Sequence, residues 1–301
     1  MTPLLHGTYA AVLTPRDADG SINEALFRSW LNFLISRGVD GFAINGATGE
    51  FCLVTEPEFD RLMQIVAETI QDHPSIRFVA GVGAAGSAAA IRLGNLAARA
   101  GATGLLLPMP YFFPYSQADV KSFSRTVAAS VQAPILLYNL PQFTSPLAPA
   151  TSLELIRDTD NIVGIKDSSG SLDTLRLLTS EGIPATRIVG NDGALAQALV
   201  ERVTDGVISG VACALPELMT QLYRMGCIDP LATSFEHLVA SLKLFIAQLD
   251  PFPTPWGLKI IAEARNLAPA TFPFPLAPER VLQTAQFTAW FAEHRSELQV
   301  Q

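Results

Sequence analysis

From Thr8 onward the chain repeats one hydrophobic pattern eight times: a short apolar run, a polar turn, then a longer stretch whose apolar positions fall on one helical face. The runs that read as strands are Tyr9–Leu13, Gly41–Asn45, Arg77–Gly81, Gly104–Pro108, Ile135–Asn139, Ile162–Lys166, Arg187–Gly190 and Gly206–Ser209. Helix starts between them carry a hydroxyl residue three before an acid, as in Ser21 with Glu24, Thr55 with Glu58 and Ser116 with Asp119. Pro57 sits in a first turn, where its missing donor does no harm. Strands alternating with helices at this spacing predict a parallel sheet, and eight units close one into a (β/α)8 TIM barrel of the α/β class.

Near Met225 the pattern changes to helix only. Pro230–Leu249, Thr254–Asn266 and Pro278–Glu297 read as three helices separated by the proline-rich joints PFPTP and PATFPFPLAP. The expected organisation is therefore a barrel over residues 1–225 that carries the active site, followed by a C-terminal three-helix extension over 226–301. An open doubly wound sheet is the competing fold, because Gly81, Gly83 and Gly86 form a GxGxxG between a strand and a helix. Dinucleotide binding would also need an acid about 20 residues further on. Between Asp72 and Asp119 there is no Asp or Glu, so the glycines are expected to serve only a tight turn.

Composition narrows the function classes. With 49% apolar and 16% charged residues, the chain is expected to pack well and to bury surface against copies of itself. A net charge of -8 disfavours nucleic acid or an anionic membrane as partner, since both need a basic face. Cys52, Cys213 and Cys227 are odd in number and widely spaced, as suits reduced thiols in a cytoplasm. His6, His73, His237 and His294 are scattered, so no metal site is expected. The first residues lack the basic region of a signal peptide, and no apolar run reaches the roughly 18 residues of a membrane helix.

Candidate chemistry centres on Asn161–Gly170, NIVGIKDSSG. Of the four lysines, Lys121, Lys243 and Lys259 lie in segments that read as helices with polar faces; Lys166 alone ends an apolar strand. A lysine inside an apolar wall resists carrying charge and exposes a free amine, the group needed for Schiff-base chemistry. Tyr138 ends the preceding strand 28 residues earlier, so the two belong on neighbouring parallel strands about 4.8 Å apart, where a phenol can pass protons to and from a carbinolamine. Asp167 should face the other side of its strand and is not the expected base. After the second strand, Gly46-Ala47-Thr48-Gly49-Glu50 is a small-residue turn whose backbone N–H groups suit a carboxylate.

With GATGE, YNLP and GIKDSSG on successive strand ends, the chain resembles the dihydrodipicolinate synthase and N-acetylneuraminate lyase family over essentially its whole length. The resemblance implies that Lys166 forms a Schiff base with pyruvate or another 2-oxo acid, that Tyr138 relays protons, and that Gly46, Ala47 and Thr48 hold the carboxylate. It further implies that the Ile208 backbone and Gly190 line the same pocket, that no metal or diffusible cofactor takes part, and that the chain forms a homotetramer built from dimers.

Departures from the family pattern bear on substrate. Ala47 stands where a Thr or Ser is usual, and Phe112, in the stretch Tyr111–Ser116, stands where a tyrosine that reaches across the dimer is common. Two relay hydroxyls are thus missing. Phe143 replaces the arginine with which dihydrodipicolinate synthases hold the carboxylate of the aldehyde, and an aromatic ring cannot make that contact. Gly193 follows Asp192 where sialic-acid lyases carry a sugar-binding acid. The expected function is a cytoplasmic lyase that makes or cleaves a C–C bond between pyruvate and an aldehyde, on a 2-oxo-3-deoxy type of acid. The alternatives are a 4-hydroxy-tetrahydrodipicolinate synthase, a 2-oxo-3-deoxy sugar acid dehydratase, and a 2-oxo acid binding protein with little turnover.

Overall fold

The computed structural model describes residues 3–300. Eight parallel strands close into a barrel: β1 (Gly7–Ala11), β2 (Gly41–Ile44), β3 (Arg77–Gly81), β4 (Gly104–Pro108), β5 (Ile135–Asn139), β6 (Ile162–Asp167), β7 (Thr186–Val189) and β8 (Gly206–Ser209), with β8 paired to β1. Strand ends move by a residue or two from expectation. Val12 and Leu13, for example, have left the regular ladder, and the Leu13 amide donates to Cys213 Sγ at 3.3 Å.

The barrel helices are α1 (Glu24–Ser36), α2 (Glu56–Thr69), α3 (Ser87–Arg99), α4 (Gln117–Ala128), α5 (Pro149–Asp158), α6 (Asp173–Ser180), α7 (Leu195–Glu201), the short α8 (Val211–Ala214) and α9 (Pro216–Ile228). Reciprocal capping boxes start α2 at Thr55 and α4 at Ser116, as their spacing predicts. Ser21 does not cap α1. Its hydroxyl is taken by Asp19, and Asn23, one residue before the helix, accepts from the Leu26 amide at 2.9 Å.

Period-two alternation sorts the strand side chains into two apolar layers. Leu106, Leu136 and Ile188 fill the barrel interior, while their neighbours Leu105, Leu107, Ile135 and Leu137 pack outward against the helices. Each buried leucine contributes about 1.5–3 kcal/mol to this packing. Gly164 is inward on β6, and a Cβ there would lie 2.1 Å from the Thr186 carbonyl oxygen, backbone that cannot yield. Gly164→Ala is accordingly expected to destabilise the fold by roughly 3 kcal/mol, read as a lower denaturation midpoint. Gly81 and Gly83 have the same steric origin: a Cβ would meet Asn45 O at 2.2 Å and the Phe51 ring at 2.7 Å, and neither glycine lines the cavity at the strand ends.

Three further helices follow: α10 (Thr233–Leu249), α11 (Trp256–Ala264) and α12 (Pro278–His294). The expected break at 225/226 falls inside α9, because its buried face continues through Leu222, Tyr223 and Gly226. The extension packs on the barrel through α9 and α8 and is tied down by charge. Arg265 pairs with Glu217 at 2.7 Å, and Lys259 pairs with Glu50 at 2.6 Å. Lys259 is thus buried rather than on a polar helix face, since Trp256, Leu258, Ile260 and Ile261 bury α11 nearly all round.

Candidate active site

A cavity of about 320 Å³ opens where the strands run out into the following helices, the end at which barrels of this type gather their functional groups. Tyr138 and Lys166 are direct register partners on β5 and β6, both inward and almost wholly buried. Lys166 Nζ stands 4.1 Å from the centroid of the Tyr138 ring. The lysine's arm crosses the backbone of Gly190: a Cβ there would lie 2.7 Å from Lys166 Cε and 2.1 Å from Ser168 Oγ. Any larger residue there would have to push the serine hydroxyl and the lysine's arm aside.

Asp167 faces outward, as the strand period requires. Asn139 Nδ2 donates to both its oxygens at 3.2 and 3.3 Å, and the Ser169 amide donates at 2.9 Å. The Leu147 amide donates to Asn139 Oδ1, and the Ser168 amide to the Asn139 carbonyl. This buried polar network locks the ends of β5 and β6 together and so fixes the tyrosine beside the amine.

The turn after β2 is bracketed by two non-glycine residues in the left-handed region, Asn45 (φ 59°) and Glu50 (φ 55°). Three of its carbonyls are engaged. Ala47 O accepts from the Glu50 amide at 3.0 Å, Gly46 O from the Phe51 amide at 3.3 Å, and Gly49 O from the Thr14 hydroxyl at 3.0 Å. The amides of Ala47 and Thr48 donate to none of the described residues, and both residues line the cavity. Adjacent unspent backbone donors are suited to an anion.

Asp192 supplies the opposite character. Its Oδ2 accepts from the Val211 amide at 3.1 Å, and Oδ1 is shut off from solvent without a hydrogen-bond partner among the described residues. Burial pushes the carboxyl above the usual carboxylate range, against the pull of the Ser209 hydroxyl, the Val211 amide and the Lys166 charge. Because the folded chain holds this proton more tightly than the unfolded chain, ionised Asp192 costs stability. The cost is absent below the ordinary aspartate range and grows as pH rises through the raised folded value. Asp192→Asn is therefore expected to melt higher at pH 7, by roughly 2–4 °C, with the advantage shrinking toward pH 3 and activity lost. Thermal melts across that pH range check both signs.

Lys166, Tyr138, Ala47, Thr48, Gly190, Asp192, Ile208 and Phe143 all line this one cavity, Phe143 at its exposed rim. Gly46 and Phe112 do not. Gly46 lies behind the turn, where its carbonyl closes the hydrogen-bonded loop. Phe112 has φ 80°, which throws its ring outward to 85% exposure, edge-on to Phe113. Cys213 is fully buried behind the site, and burial pushes its thiol up to about 12.

Sequence reasoning missed Ser168, whose buried Oγ has no partner among the described residues. Its place two residues after Lys166, on the same strand face, is a signal that finds it. It also missed the outer wall, formed by Ile246, Leu249, Phe252, Pro253 and Leu258 of the extension. No local pattern marks these. Among the described residues no group of three His, Cys, Asp or Glu side chains is placed to hold a metal, and no helix is long and apolar enough to cross a membrane. An amine, a neighbouring phenol and a pair of free amides together can form a carbinolamine on a 2-oxo acid and dehydrate it.

The chain is similar to known proteins over most of its length. Residues 4–289 match the model of the dihydrodipicolinate synthetase family. A 4-hydroxy-tetrahydrodipicolinate synthase of Salinibacter ruber is 30% identical over 254 residues, 83% of each chain. The structure of the 4-hydroxy-tetrahydrodipicolinate synthase of Methylacidiphilum fumariolicum SolV superposes with a TM-score of 0.88 at 26% identity, over 98% of each chain. A dihydrodipicolinate synthase of Aquifex aeolicus shares the fold with a TM-score of 0.89 at 21% identity, over 97% of this chain and 98% of its own.

Proposed function

The chain belongs to the dihydrodipicolinate synthetase family, and from that premise we propose that it is a Schiff-base lyase joining or separating pyruvate and an aldehyde. Lys166 Nζ attacks the 2-oxo carbon, and the carbinolamine oxygen leaves as water with a proton passed by Tyr138. In the protonated imine, Tyr138, left as the phenolate by the first proton transfer, takes the proton of the C4 hydroxyl while the electrons of the C3–C4 bond flow toward nitrogen, releasing the aldehyde and leaving an enamine. Protonation of its C3 and hydrolysis return pyruvate and the amine. The amides of Ala47 and Thr48 bind the carboxylate that stays in place throughout. The observation that carries the proposal is the register pairing of Tyr138 with Lys166 in one cavity with those two amides.

A hydroxylated partner fits the remaining groups. Ser168 Oγ and Asp192 Oδ1 are buried and unpartnered, so each gains a hydrogen bond from a substrate hydroxyl. No arginine lines the cavity among the described residues, and Phe143 occupies the rim, which leaves no cation besides Lys166 to pair with a second carboxylate. A 2-oxo-3-deoxy acid is therefore the favoured substrate class. Synthesis of 4-hydroxy-tetrahydrodipicolinate is the second reading, supported by the activity named for the Salinibacter ruber relative. A dehydratase would use the same imine, and a binding protein would stop at it.

Borohydride added with pyruvate should leave a stable adduct on Lys166 by mass spectrometry; an unmodified lysine overturns the proposal. Screening 2-oxo-3-deoxy acids beside aspartate semialdehyde, with product analysis, then separates the four readings. A cytoplasmic homotetramer completes the proposal. It is supported by the exposed aromatic pair Phe112 and Phe113, at 85% and 60% exposure, whose rings meet edge-on. Sedimentation analysis tests the assembly.

A further inference from the structure

We propose that the buried Glu50–Lys259 ion pair is a positioning device through which the C-terminal extension sets the geometry of the carboxylate-binding turn. The inference rests on the Schiff-base function above. Both side chains are below a tenth exposed, the pair closes at 2.6 Å, and a second N–H of Lys259 donates to the Thr271 carbonyl at 2.8 Å. The ammonium is thus held from the extension on one side and holds the turn on the other.

Anchoring the extension does not require this pair. Arg265, six residues further along at the end of α11, is already fixed to Glu217 and to the Ala214 carbonyl. That clamp reaches only α8 and α9, whereas Lys259 reaches the turn itself. Glu50 also holds a left-handed backbone at φ 55°, a conformation that non-glycine residues keep only when their surroundings impose it. Its amide donates to Ala47 O, so any displacement of Glu50 passes directly to the peptide unit that carries the free Thr48 amide. The route of displacement is open: a cleft of about 380 Å³ lined by Arg16, Glu50 and Lys259 lies beside the pair. Once the ammonium is removed, the Glu50 carboxylate is left buried and unpaired, and swinging out into that cleft rehydrates it.

The test compares two carbonyl compounds in the borohydride assay: pyruvate, which uses the turn, and acetone, which has no carboxylate. In Lys259→Met the pyruvate concentration for half-maximal trapping on Lys166 should rise roughly tenfold, as a small misplacement of binding groups implies. Trapping with acetone should be unchanged. Glu50→Gln, an independent variant should the first fail to fold, should move pyruvate trapping in the same direction and again spare acetone. The double variant should be no worse than the poorer single one, because the two changes break one interaction. Parallel losses for pyruvate and acetone in both variants would reduce the pair to general structural support and overturn the inference. So would an unaltered pyruvate dependence in both. Failure of the unmodified chain to trap pyruvate is a separate result, which removes the Schiff-base function and this inference with it.

Discussion

A Lys166→Met chain is expected to fold normally and to lose lyase activity by roughly 10⁴-fold or more, the scale on which enzymes lose a covalent nucleophile. Methionine keeps most of the length and apolar body of the lysine, so the passage over Gly190 stays filled and the barrel interior keeps its packing. What disappears is the one amine that lines the cavity among the described residues, and with it every adduct that borohydride traps from pyruvate. Pyruvate should still raise the melting temperature of the variant slightly, because the Ala47 and Thr48 amides remain. Substantial turnover or a trapped adduct at another lysine would place the chemistry elsewhere.

Tyr138→Phe asks a narrower question. The aromatic ring under Lys166 Nζ survives, so the 4.1 Å contact and the interior packing are kept while the phenol proton is lost. General acid–base assistance typically contributes 10²–10⁴-fold, and a fall in kcat of roughly 10²-fold or more is expected, with the KM for pyruvate little changed. Imine should still be trapped at full occupancy, only more slowly. Ala47 sharpens the outcome, since no hydroxyl at that position stands ready to replace the phenol. If kcat is unaffected, water alone carries the proton and Tyr138 is merely a platform for the amine.

Much of this was legible before any coordinates. Strands such as Ile135–Asn139 are buried on both faces and bounded by turns, so their apolar runs mark them almost to the residue. Tyr138 and Lys166 followed from one βαβ spacing plus the alternation of strand side chains. Other features were not readable because they depend on distant chain. Lys259 looks like any helix lysine until the helix is packed on all sides and Glu50 arrives from more than two hundred residues upstream. Ser21 has the spacing of a cap, yet Asn23 stands nearer the helix start. Phe112 shows its place in the family pattern through the residues around it, but the left-handed backbone that turns its ring outward leaves no mark in the sequence.

The outer wall of the cavity is borrowed from outside the eightfold repeat: Ile246, Leu249, Phe252, Pro253 and Leu258 belong to a segment that carries none of the reacting groups. The amine and part of the wall that would face the substrate are therefore written in separate stretches of one gene. Drift in the latter can retune which aldehyde is accepted without disturbing the amine, which gives an inherited catalyst room to acquire new substrates.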